Sequence, residues 1–209
     1  MKTSIFLLVF LVLVVVVVVP CALAGAAPNP VVDTRGRYLR NGLGYYIVPV
    51  PAEDPTIPSR GGGLNLAATR NKTCPLDVVQ EINENDKGLQ FVFIPVNPKK
   101  GVIRESTDLN IKYMGDTTCN QSMVWMLNQF EDPNGPYFVT TGGVEGNPGP
   151  QTIGNWFKIQ VFIDDYKLMY CPSVCKYCKV VCKDVGIVVV NGRRYLGLTD
   201  QPRRIMFAT

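Results

Sequence analysis

The sequence predicts an all-β fold, a barrel or sandwich held by disulfides, and three observations predict it. Apolar residues alternate with polar ones in short runs, the period of a half-buried strand, and no stretch of ten residues carries a helical period. The 19 glycines and 16 prolines punctuate these runs, too often for long helices. Six cysteines remain once the N-terminal segment is set aside, an even number suited to an oxidising compartment.

The elements follow in chain order. Residues Ile5 to Val19 are apolar throughout, with Lys2 before them and Pro20-Cys21-Ala22-Leu23-Ala24 after them. A basic start, an apolar stretch and an Ala-x-Ala end predict a secretory signal peptide over residues 1–24, removed in the mature protein. The stretch is short for a membrane span. One domain over residues 25–209 is therefore expected, secreted to the cell exterior or the vacuole, with no membrane contact in its mature form. Tyr45-Tyr46-Ile47-Val48 and Gln90-Phe91-Val92-Phe93-Ile94 read as strands closed by Pro49 and Pro95. Leu109-Asn110-Ile111-Lys112-Tyr113 and the set Phe157, Ile159 and Val161 alternate as half-buried strands do. Ile187 to Val190, then Asn191-Gly192, then Arg193 to Leu198 predict a tight hairpin. The internal repetition is confined to a loose echo between Val124-Trp125-Met126-Leu127 and Asn155-Trp156-Phe157-Lys158.

Charge and composition narrow the function. Without Lys2 the 21 basic residues become 20 against 17 acidic ones, a net +3, too weak to point to nucleic acid. The pairs Arg193-Arg194 and Arg203-Arg204 are expected on solvated strand ends. Histidine is absent, which rules out Ser-His-Asp and Cys-His catalysis, histidine metal sites and the usual pH switch near neutrality. The acids are scattered and no nucleophile motif is visible, so neither enzymatic activity nor a cofactor is expected.

The six cysteines are Cys74, Cys119, Cys171, Cys175, Cys178 and Cys182. The last four have a spacing that could hold zinc or an iron–sulfur cluster, but secretion favours disulfides and no metal. Six cysteines allow about 15 pairings, and sequence alone does not choose among them. A local solution nests Cys175–Cys178 inside Cys171–Cys182 and leaves Cys74 to Cys119. Asn71-Lys72-Thr73 and Asn120-Gln121-Ser122 are glycosylation sequons, which mark surface loops in a secreted chain.

The segment Val31-Val32-Asp33-Thr34-Arg35-Gly36-Arg37-Tyr38-Leu39, followed by Tyr45-Tyr46-Ile47, resembles the opening signature of the plant Kunitz (soybean trypsin inhibitor-like) family. Gly61-Gly62-Gly63-Leu64, Ser106-Thr107-Asp108-Leu109-Asn110-Ile111 and Gly142-Gly143-Val144-Glu145-Gly146-Asn147-Pro148-Gly149-Pro150 are similar to its miraculin-like branch. The resemblance implies a β-trefoil of about twelve strands, six closing a short barrel and six capping it, and the nested disulfide pairing above. It also implies a glycan at Asn71. The taste-modifying member of that branch uses histidines and an extra cysteine that links two chains. This sequence has Arg60 before its three glycines and no cysteine in Trp156 to Ile163, so neither taste modification nor an inter-chain disulfide is expected.

The resemblance further implies an inhibitor of a trypsin-like serine protease, acting in defence through an exposed substrate-like loop. Aligning Leu109 to Tyr113 with the family strand after that loop puts it at Pro98-Lys99-Lys100-Gly101, with Lys99 as the specificity residue and Asn41 as its brace. Pro98 favours extended backbone at Asn97. Two other readings are a sugar-binding trefoil using Trp125, Trp156, Tyr113 and Tyr137, and a defence or storage protein without a specific ligand.

Overall fold

The computed structural model describes residues 26–52, 60–69, 73–129 and 135–209. Residues 1–24, read from the sequence as a signal peptide, and Asn71 lie outside them. The described residues contain twelve strands. In chain order they are β1 (Gly44–Pro49), β2 (Leu64–Ala67), β3 (Asp77–Gln80), β4 (Gln90–Pro95), β5 (Leu109–Tyr113) and β6 (Val124–Gln129). There follow β7 (Tyr137–Gly143), β8 (Lys158–Phe162), β9 (Asp165–Tyr170), β10 (Lys183–Val190), β11 (Arg193–Thr199) and β12 (Ile205–Ala208).

Six of them close a ring. β1 pairs β4, β4 pairs β5, β8 pairs β9, β9 pairs β12 and β12 returns to β1, all antiparallel. The ring shuts between β5 and β8 at Leu109 and Phe157, whose N–H groups each donate to the other's carbonyl at 2.9 Å. The remaining strands form three hairpins, β2–β3, β6–β7 and β10–β11. These meet through the pairs Tyr195 with Val79, Gly197 with Phe138, and Asp77 with Thr140. Three units of four strands, each with two in the ring and two in the cap, make a β-trefoil.

The alternation in the sequence fills this barrel. Each ring strand sends inward two side chains, two residues apart: Tyr45 and Ile47, Phe91 and Phe93, Leu109 and Ile111, Phe157 and Ile159, Leu168 and Tyr170, Ile205 and Phe207. Fully burying one such aliphatic or phenyl side chain contributes about 1.5–3 kcal/mol. The echo around the two tryptophans is not the repeat. Trp125 lies in cap strand β6, with its ring edge-on to Phe91 at 5.0 Å, whereas Trp156 precedes ring strand β8. The three-fold repeat lies in apolar character at alternate positions, a property many residue types satisfy.

Two local features match elementary turn chemistry. Val190 pairs with Arg193 across Asn191 (φ +50°) and Gly192 (φ +77°), the two left-handed residues of a tight hairpin. Near the N-terminus, Asp33 accepts from the backbone N–H groups of Arg35 and Arg37 at 2.9 Å and from the Arg37 guanidinium at 2.7 Å. Burial pushes the Asp33 pKa up, but these donors outweigh it and hold the carboxyl below its usual value. The aspartate and Gly36 (φ +73°) of the opening signature thus close a turn.

The cysteines pair as Cys74–Cys119, Cys171–Cys182 and Cys175–Cys178. Tyr170 and Lys183 are the last paired residues of β9 and β10, so the Cys171–Cys182 bond continues that ladder by one covalent rung. With all six oxidised, the suggestive spacing of the last four offers no thiolate to a metal.

Candidate functional site

The β4–β5 connection, residues 96–108, leaves the barrel beyond the pair Pro95 and Leu109. Its outward leg, Val96 to Lys100, is exposed, and its return leg is buried or half-buried except at Ser106. Ile103 is fully buried beside Val31 and Leu39, also fully buried. Backbone bonds weave the three together: Ile103 N–H donates to Leu39 O at 2.9 Å, Val31 N–H to Ile103 O at 3.0 Å, and Leu39 N–H to Val31 O at 2.8 Å. Arg104 adds a guanidinium bond to Pro28 O at 2.6 Å, and Glu105 N–H donates to Asn29 O at 3.0 Å. An apolar plug and a small backbone mesh therefore fix one side of the loop.

Asn41 fixes the other side. Its Nδ2 donates to Pro98 O at 3.2 Å, and its backbone N–H donates to Gly101 O at 3.0 Å. One residue thus grips the chain on both sides of Lys99 and Lys100. Asn41 is itself placed by the pairing of Arg40 with Val102 and by the Arg40 N–H, which donates to the Tyr45 hydroxyl at 2.9 Å. The brace read from family resemblance at Asn41 and the loop read at Pro98–Gly101 are in contact. The backbone bond to Gly101 is a second grip that no side-chain motif signals.

The backbone at the tip differs from a uniformly extended segment. Asn97 is extended (φ −113°, ψ 92°), as expected before proline. Pro98–Lys100 then forms one 3₁₀ turn, with Asn97 Oδ1 accepting from Lys99 N–H at 3.3 Å and Asn97 O from Lys100 N–H at 3.2 Å. Gly101 ends the turn in the left-handed region (φ +66°), where no atom would crowd a side chain, so its backbone angle is what asks for glycine. The Lys99 and Lys100 side chains project into solvent, with Arg40 exposed beside the return leg. The tip is basic and held at its two ends rather than its centre.

Sequence reading missed Asp108, where the loop rejoins the barrel. It is buried, pairs with Lys158 Nζ at 3.6 Å, and accepts from Ser173 N–H at 3.1 Å and from the Ser173 hydroxyl. Its carbonyl accepts from Val96 N–H at 2.9 Å. Asp108 thus ties both ends of the loop to the disulfide segment at Ser173. No local motif could announce this, because its partner is 65 residues away.

The aromatics proposed for sugar stacking lie elsewhere. Trp125 and Trp156 are buried, and the Trp156 Nε1 donates to Thr152 Oγ1 at 3.2 Å. Tyr113 is half-buried against Phe91, and Tyr137 alone is exposed. Core positions bind these rings because sheet faces bury the largest apolar area available. Of the sequons, Asn120 is exposed.

Comparison with known proteins agrees with this architecture. A profile of the Kunitz legume family, described as trypsin and protease inhibitor, matches residues 31–209. The chain is 49% identical over 187 residues to miraculin from Synsepalum dulcificum, covering 86% of this chain and 82% of that one. It is 42% identical over 204 residues to Kunitz trypsin inhibitor 5 from Arabidopsis thaliana, covering 98% and 97%. The structure of a Kunitz-type cysteine protease inhibitor from potato superposes with a TM-score of 0.74 at 31% identity, covering 88% of this chain and 98% of that one. Fold, signature and similarity along nearly the whole described chain converge: this protein belongs to the plant Kunitz family of protease inhibitors, a family of inhibitors rather than enzymes.

Proposed function

We propose that the protein is a secreted inhibitor of a trypsin-like serine protease, acting in defence, with Lys99 as the side chain that enters the enzyme's specificity pocket. The observation that carries this reading is the two-point grip of Asn41 on the carbonyls of Pro98 and Gly101. A loop whose ends are already fixed loses little entropy when it docks, and that saving appears directly as affinity. A lysine suits a pocket with a carboxylate at its base, and the neighbouring Lys100 and Arg40 favour encounter with an acidic rim.

Docking opens the 3₁₀ turn into the extended form that pairs with a protease. The bonds given up are the two that Lys99 N–H and Lys100 N–H donate to Asn97, each at or beyond 3.2 Å between exposed residues, and exposed bonds of this kind contribute little. Asn41 donates to Pro98 O at the start of the turn and to Gly101 O beyond it, so its grip flanks the two residues that change. The Lys99–Lys100 bond also lies between Cys74 and Cys119, so the halves of a cut chain remain covalently joined. A held, linked cut can be resealed, which lets the loop behave as a substrate that is not released.

Titrating trypsin with the parent and with Lys99→Ala tests this. The parent should inhibit, and the variant should be weaker by at least about thirtyfold, because truncating a central anchor costs more than about 2 kcal/mol. Its melting temperature should not change, since Lys99 is exposed. Full trypsin activity with the parent, or equal inhibition by both, would refute the assignment.

A further inference from the structure

Three half-buried arginines converge on the flank of the barrel. Arg60 precedes β2, Arg194 lies in β11, and Arg203 precedes β12. Two other guanidiniums have carboxylate partners, Arg37 with Asp33 at 2.7 Å and Arg204 with Asp165 at 2.6 Å. Among the described residues, no carboxylate pairs with Arg60, Arg194 or Arg203. Glu81 is taken by Asn65, and Glu84, across the neighbouring cleft, makes no ion pair with them. Burial lowers the Arg203 pKa, and the like charges of Arg194 and then Arg60 lower it further. Of the pairs Arg193-Arg194 and Arg203-Arg204, expected on solvated strand ends, only Arg193 is exposed; Arg194, Arg203 and Arg204 are half-buried, because the trefoil brings the start of β11 and the approach to β12 against Arg60.

The surrounding backbone is built to hold the cluster. A Cβ at Gly61 would stand 2.4 Å from the Arg194 Nη1, so glycine there lets the guanidinium lie against the chain beside Arg60. The buried Gln80 amide donates to Arg60 O at 2.9 Å and to Gly62 O at 3.0 Å, fixing that segment. Arg60 and Arg203 open onto a cleft of about 350 Å³, with Arg204 beside them and Phe162, Ile187 and Pro202 as an apolar wall. Half-buried cations that pair with no acid among the described residues are relieved by an anion, and planar guanidiniums suit the oxygens of a sulfate or phosphate group. The cleft is larger than a bare ion needs, and its wall suits the face of a ring.

We infer that Arg60 and Arg203, with Arg194 packed behind them against Gly61, form a binding site for an oxyanion, a sulfate or phosphate ester carried on a sugar-sized ring. The elements that build it are not those that carry Lys99, so the site stands apart from the inhibitory loop.

The test is calorimetric titration and thermal melting of the whole protein with inorganic sulfate, inorganic phosphate, glucose 6-phosphate and glucose, at ionic strength matched with sodium chloride. Both ions and the ester should bind and raise the melting midpoint above the chloride reference, the ester more tightly than inorganic phosphate, and glucose should do neither. Arg60→Gln and Arg203→Gln should each weaken ester binding about tenfold, the size of one lost charge-assisted hydrogen bond, while still unfolding cooperatively. A midpoint rise that chloride reproduces, or variants that bind as the parent does, would overturn the site. An inorganic ion that binds more tightly than the ester would overturn its ring-sized half.

Discussion

Two irregular segments of similar length leave the sheet and are held in opposite ways. Residues 96–108 depart beyond the pair Pro95 and Leu109, and residues 171–182 depart beyond the pair Tyr170 and Lys183. The second is closed covalently, by Cys171–Cys182 at its neck and Cys175–Cys178 near its tip. The first contains no cysteine. It relies on the buried Ile103, the backbone mesh with Val31 and Leu39, and the grip of Asn41. The two meet where Ser173 donates to Asp108. The difference teaches that rigidity and covalent closure are separable. The loop with the basic tip is clamped at its ends by weak bonds and free at its centre, whereas the other is locked covalently at both its neck and its tip.

The comparison can be broken at several points. The largest effect should come from Cys74→Ser with Cys119→Ser, which removes the bond spanning the Lys99 loop. Its sequence separation of 45 gives about 4 kcal/mol of stabilisation in the chain-entropy model. Denaturant unfolding should show that loss. In addition, prolonged exposure to trypsin should now end in two separate chains and lost inhibition, where the parent recovers. A double variant that stays inhibitory after cleavage would show that the covalent tether is dispensable.

Cys175→Ser with Cys178→Ser sharpens the contrast from the other side. That bond closes a separation of only 3 residues, for which the same model gives about 2 kcal/mol. Unfolding should register the change and the inhibition constant should not. If inhibition falls with it, the two segments act as one surface through Asp108.

Asn41→Ala should do the reverse. Its bonds are exposed and contribute little to global stability, so unfolding should move by less than about 1 kcal/mol. Inhibition should weaken about tenfold, and cleavage within the loop should speed up, because the ends lose their clamp while the chemistry at Lys99 is intact. Asn41→Asp keeps the side chain's length but replaces its donor with an acceptor facing Pro98 O. It should be no better than alanine. An unchanged inhibition constant in both variants would mean that the mesh around Ile103 suffices.

Much of the fold was legible because it depends on local regularities. The alternation at Leu109 and Ile111, or at Phe157 and Ile159, reports barrel-facing pairs directly, and Asn191-Gly192 reports its hairpin through backbone angles those residues tolerate. The three-fold repeat was not legible as identity, since Tyr45, Leu109 and Leu168 serve equivalent places with different shapes, and the matching tryptophans belong to different layers. At the site, Asn97-Pro98 indicated its own extended residue. The 3₁₀ turn that follows comes from the Asn97 side chain and the left-handed Gly101 acting together. Asn41 was reachable only through resemblance, because its partner at Pro98 is 57 residues away. Asp108 with Ser173, and Arg60 with Arg194 and Arg203, are likewise products of tertiary approach and leave no local mark.

The measurement that most directly tests the central claim is the position of the first bond trypsin cuts. The protein is incubated with a small amount of trypsin, and new amino termini are identified over time, with and without reduction of disulfides. The account predicts a slow first cut between Lys99 and Lys100, a new terminus beginning Lys-Gly-Val, and fragments that separate only after reduction because Cys74–Cys119 joins them. A first cut after Lys100 or at any other basic residue, or rapid degradation through many sites at once, would contradict it.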